Sequence, residues 1–188
     1  KIAYCESRIV DEKNADQGST ADYHSNHFHP TRWKRPFFAH GKRELQQYLR
    51  FGMVVPNMSS ALISSTVFQK AFSENIRNYR LAGDWLFIGQ AAQYGDIVFV
   101  PDELNNFRRH PKTSRAETNI IRETAEHVSV RLKLCKAAMM KNSENLNSAK
   151  HDVASLIYQP QNSEAVISEL SKFDPESADL LQDFLELH

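Results

Sequence analysis

Residues Leu81–His110 read "LAGDWLFIGQAAQYGDIVFVPDELNNFRRH". An acid stands before a tryptophan, an apolar helix-like run follows, and a Gly-Asp turn leads to a short β-branched strand. A proline and then Arg-Arg-His close the stretch. The helix is expected from Asp84 to about Tyr94, with Gly95 ending it as a left-handed C-terminal cap. "DIVFV" reads as a strand stopped at Pro101, and "LNNFRR" as another. Asp84 suits two roles. As a helix-start acid it caps exposed backbone N–H groups. As a fixed carboxylate it can serve as a general base. Trp85 is either core filling or a flat face for a sugar ring. Arg108, Arg109 and His110 are either a solvated basic turn or an anion site, with Lys112, Thr113 and Ser114 as further donors.

Upstream, "KIAYCESRIVD" has the β-branched and aromatic texture of a strand. Residues 12–36 are polar and read as a long loop carrying "HSNHFHP". His24, His27 and His29 have a spacing that zinc could use, but no Cys or rigid element supports a zinc site. "GKRELQQYLR" reads as a short helix after Gly41, "VVPNMSSALISS" as extended chain, and "TVFQKAF" as a helical turn. Asn57, Ser59 and Ser60 form a polar knot, either a tight turn or a row of donors for a hydroxyl-rich ligand.

Downstream the texture becomes helical. Ile121, Ala125, Val128, Leu132, Cys135 and Met139 keep the period of an amphipathic helix starting near Ala116. Asn142–Asn147 breaks it. Further helices are expected at Ser148–Tyr158, in "SEAVISEL", and in "DPESADLLQDFLEL", where Asp-Pro makes a good start. The expected organisation is a mixed α/β part over residues 1–115 and a helical tail over 116–188.

Composition bounds what the chain does. Its 188 residues are 41% hydrophobic, with 11 Phe, 6 Tyr and 2 Trp, enough for a packed core. Lys+Arg and Asp+Glu each number 23, which argues against bulk electrostatic capture of nucleic acid. Cys5 and Cys135 do not make a disulfide framework, so a reduced, cytoplasmic setting is expected. No apolar run reaches the roughly 18 residues that span a bilayer. The chain opens at Lys1 directly in strand-like residues, and we expect a piece of a longer protein.

The order of these segments resembles the carboxyl-terminal half of family 2 glycosyltransferases with the GT-A fold. The segments are "WKRPFFAHGKRELQQYL", "VVPNMSSALISSTVF", "AGDW" and "GDIVFVPDELNNFRRH", and the resemblance covers roughly residues 1–115. It implies a partial GT-A fold without the nucleotide-binding half. It implies transfer of a sugar from a nucleotide-diphosphate donor to a glycan or lipid-linked hydroxyl acceptor, with inversion. Carried over, Asp84 is the general base, Trp85 shapes the acceptor side, and Asn57 and Ser59 border the acceptor or sugar pocket. Arg108 and His110 lie near the donor diphosphate or its metal. The family often has Glu before the base; here Gly83 stands there. The family's Asp-x-Asp metal motif does not occur in this sequence. A Mg²⁺ or Mn²⁺ ion is therefore expected in the full-length enzyme and none in this part, which is not expected to act or to bind nucleotide-sugar alone. The alternative is a non-catalytic α/β interaction module or a degenerate transferase domain. Association with membrane through the acceptor, and pairing of copies along an uncovered sheet edge, are further expectations.

Overall fold

The computed structural model describes residues 1–110, 119–138 and 163–186, with Phe184 by its backbone alone. The expected helix at Ser148–Tyr158, Met139 and the Lys112–Ser114 donors lie outside the described residues.

The fold is mixed α/β. Strand β1 (Ile2–Val10) is its axis. It is buried along nearly its whole length, as a strand covered on both faces must be. Along one side it pairs antiparallel with β4 (Ala61–Ile63) through Ile2–Tyr4, and with β2 (Asp16–Ser19) through Arg8 and Val10. On the other side it runs parallel to β5 (Ile97–Arg108), and β3 (Phe37–Ala39) pairs antiparallel with β5 at Ile97–Phe99. From Val100 onward β5 pairs, among the described residues, on its β1 side only.

Sequence reading divides β5 at Pro101, yet the structure keeps one strand. The register explains how. Cys5 faces Val100, Glu6 faces Glu103 and Ser7 faces Asn105, so the surplus residues of β5 bulge out around Pro101 and at Leu104. Proline cannot donate to the ladder, and a bulge lets the strand pass it. Before the bulges Ile97 and Phe99 are buried in the core; the bulged-out Leu104 is exposed.

The segment expected as loop at 12–36 is also more ordered than its composition suggests. It contains β2, helix α1 (Ala21–His27) and a 3₁₀ turn at Arg32–Lys34. Thr20 holds it to β1: its hydroxyl oxygen accepts from the Ser7 N–H at 3.0 Å, and its N–H bonds the Ser7 carbonyl. Helix α2 (Gly41–Glu44) runs on as a π turn at Leu45–Leu49. Helix α3 (Ser65–Ala71) is followed by a 3₁₀ turn at Glu74–Asn78 and then by α4 (Gly83–Ala91).

Gly95 does not close α4 in a left-handed conformation, since Gly18 is the only glycine with positive φ among the described residues. The close approach is at Gly41. A Cβ there would stand 2.0 Å from the Gly95 carbonyl oxygen and 2.1 Å from that of Ala92, so the start of α2 can seat against the end of α4 only as glycine.

The tail contributes α5 (Ile120–Ala138), α6 (Ser163–Ser171) and α7 (Pro175–Glu186). Asn119 caps α5, its Oδ1 accepting the Arg122 N–H at 2.8 Å. The predicted stripe Ala125, Val128, Leu132 is buried against Val166, Leu170, Ala178 and Leu181. A second set on α5, Val130 and Leu134, belongs to the main core with Trp85, Leu86 and Ile88. The sheet part and the tail are thus built on a shared helix. Among the described residues no helix is long and apolar enough to cross a membrane.

Candidate functional site

Asp84 lies on the first turn of α4, exposed, with Oδ1 accepting the Trp85 N–H at 2.7 Å. An acid in this turn is favoured by the helix dipole. It is not the N-cap, which is Ala82. The Asp84 carboxylate still satisfies one first-turn amide, as expected of a helix-start acid, while Glu126 of α5 takes the amides that lead into the helix. The Glu126 carboxylate accepts the N–H groups of Arg80 at 2.8 Å, Leu81 at 2.7 Å and Ala82 at 2.9 Å, and also Arg122 Nε at 2.7 Å. Burial alone would push its pKa up, but these four bonds outweigh burial and hold the carboxyl below the usual carboxylate range. Gly83 has its own reason. A Cβ there would meet the Ile76 carbonyl oxygen at 3.1 Å and Tyr79 Cβ at 3.3 Å, leaving little room for the glutamate that the resembling family often carries.

Trp85 corrects an expectation. The indole is 5% exposed, its Nε1 donates to the Leu49 carbonyl at 2.6 Å, and His127 meets it edge-on. It offers no open face to a sugar ring and serves as core. Asn57 and Ser59 make the tight turn that was the structural alternative. Asn57 Oδ1 accepts the Ser59 N–H at 3.2 Å, and the Asn57 carbonyl accepts both the N–H and the hydroxyl of Ser60. Ser59 itself is exposed.

Arg108 and His110 are at the far end of β5. Arg108 donates to the carbonyls of Asp11 at 3.4 Å and Glu12 at 3.2 Å, across the end of β1, and His110 is exposed just beyond. At about 1.5 Å per residue α4 advances roughly 13 Å, whereas β5 at about 3.3 Å per residue advances roughly 40 Å. The strand outruns the helix, so the two walls read from Leu81–His110 are held by different parts of the fold. The tail helix α5 holds the segment Asn78–Ala82 that leads to Asp84, and the β1–β2 turn holds Arg108.

The three histidines separate as well. His27 Nδ1 bonds the Tyr23 carbonyl, and His29 Nδ1 accepts the N–H groups of Thr31 and Arg32. His24 is fully buried between Glu6 and the Val54 carbonyl, and its ring stacks on Trp33. No group of three or more His, Cys, Asp or Glu among the described residues is arranged to hold a metal ion.

Three charged assemblies escaped sequence reading. One is Glu6 with His24 and Thr20. Another is Glu126 with Arg122. The last joins Asp174, Ser129, Lys133 and Tyr79. Lys133 Nζ donates to Asp174 at 2.9 Å, and the Ser129 hydroxyl donates to the same carboxylate. The available signal was an acid inside an otherwise apolar pattern: Glu6 within β1, and Glu126 beside Ala125 on the buried stripe. At the opposite end of α4 a cleft of about 320 Å³ is lined by His40, Lys42, Gln93 and Asp96.

Comparison with protein families, curated proteins and solved structures returned no match.

Proposed function

We propose that the chain forms the acceptor-side half of a GT-A-type sugar-transfer site, with Asp84 as general base. The observation that carries the reading is the setting of Asp84: an exposed carboxylate on the first turn of a buried helix, oriented by the Trp85 N–H at 2.7 Å. In this reading Asp84 takes the proton of an acceptor hydroxyl as that oxygen attacks the anomeric carbon. The bond to the diphosphate breaks on the opposite face, with inversion. Asn57, Ser59, Arg108 and His110 keep the roles that the resemblance implies, while Trp85 supports the base from behind. The divalent ion implied by the resemblance does not fit the described carboxylates and imidazoles, and no step is routed through it.

The test is sugar transfer by the full-length protein from a panel of UDP- and GDP-hexoses, with Asp84→Asn alongside. General-base removal lowers kcat by about 10²–10⁴-fold while donor affinity is kept. Transfer unaffected by the substitution would sink the assignment. The burial of Trp85 and the local closure of the Asn57 turn favour, as a second reading, an interaction module; full-length protein inert toward every donor supports it.

A further inference from the structure

Residues Asn78–Ala82, which lead into α4, are held by the tail one after another. Arg122 Nη2 donates to the Asn78 carbonyl at 2.6 Å. The Tyr79 hydroxyl lies 2.5 Å from Ser129 Oγ and 3.5 Å from Asp174 Oδ2. The N–H groups of Arg80, Leu81 and Ala82 all point to the Glu126 carboxylate. Glu126 is itself fully buried and braced by Arg122. Arg122 in turn reaches Glu169 of α6 at 3.2 Å and lies 3.9 Å over the Phe173 ring. A loop that precedes a helix is ordinarily among the less ordered parts of a fold. Here consecutive backbone groups converge on one ionised acceptor, the geometry that makes hydrogen bonds short and directional.

We infer that Glu126, braced by Arg122, is a positioning residue for Asp84, and that the helical tail is the clamp that sets the base. The inference rests on the reading of Asp84 as base. Asp84 begins two residues after the last clamped amide, so a shift of the clamped loop moves its carboxylate directly. A displacement of about 1 Å at a reacting group costs on the order of 10²-fold in rate. Glu126→Gln keeps the side chain's shape but replaces one accepting oxygen with an amide that cannot accept from an N–H group.

The experiment is a kinetic cycle in the full-length protein with Glu126→Gln, Asp84→Asn and the double variant, using the donor that gives turnover. The expected result for Glu126→Gln is a fall in kcat of about ten- to hundred-fold with donor KM kept. Amide exchange at Arg80–Ala82 should also accelerate. In the Asp84→Asn background the same change should cost nothing more, because its effect runs through the base. Losses that multiply, or a wild-type kcat in Glu126→Gln with the exchange accelerated, would overturn the positioning role and leave the base standing. Full transfer by Asp84→Asn alone would remove the base and the inference with it. Should Glu126→Gln fail to fold, Arg122→Lys enters the same cycle, since it keeps the charge but loses the fork that braces Glu126.

Discussion

His24 Nδ1 lies 2.8 Å from Glu6 Oε1 inside the protein, and His24 Nε2 lies 2.8 Å from the Val54 carbonyl. A carbonyl only accepts, so Nε2 carries a hydrogen. A further proton is therefore shared between Nδ1 and Oε1, whichever atom holds it. The Thr20 hydroxyl donates to the other Glu6 oxygen, and Trp33 stacks on the imidazole with 4.8 Å between ring centroids. The pair ties β1 to α1 and to the chain around Val54.

His24→Ala leaves a buried carboxylate without its partner and is expected to destabilise the protein by about 3–5 kcal/mol. Glu6→Gln should cost less, and the double variant less than the sum of the two. Urea unfolding of the four proteins measures this. Additive losses would mean that the two side chains do not act as a pair.

Gly89 faces Leu134, and a Cβ at Gly89 would stand 2.3 Å from Leu134 Cδ2. Gly89→Ala therefore overpacks the α4–α5 contact and is expected to cost about 1–3 kcal/mol. Leu134→Ala alone opens a cavity and should cost about 2–5 kcal/mol. Combined, they should cost clearly less than their sum, because the new methyl enters the vacated space. Thermal melts of the single and double variants decide it.

Acid should loosen the tail clamp before the sheet core. Burial works against the ionised forms of Glu126 and Asp174. The backbone bonds to Glu126, and the Ser129, Ser177 and Lys133 bonds to Asp174, outweigh it, so both carboxyls are lowered in the folded protein. A depressed folded value adds stability above the unfolded values of about 4.3 for Glu and 3.9 for Asp, and this stability is lost as pH falls through the folded values. Glu44 runs the other way. Burial raises it despite Arg32, so its charge costs stability at neutral pH and protonation relieves that cost. Melting temperatures taken downward from about pH 5 should fall for the wild type and fall less steeply for Glu126→Gln. Parallel slopes would show that Glu126 does not carry the acid dependence.

What the sequence determined by itself is what short-range periodicity carries. The strand from Ile2, the helix from Asp84, the buried stripe Ala125–Val128–Leu132 and the Asp174–Pro175 helix start each depend on residues within a turn or two of one another, and each stands where it was read. The tertiary structure decided the rest. Pro101 did not end β5, because a bulge is a property of two paired strands and not of the proline. "HSNHFHP" carried no shared site, because His24 found its partners in Glu6 and Val54, far away along the chain. Asp84 takes a first-turn amide of α4 itself, but the three amides leading into that helix go to Glu126, far along the chain, for the same reason. A backbone amide binds whichever carboxylate the packing brings within reach. Sequence distance sets the entropy of bringing the two together but not which pair is made.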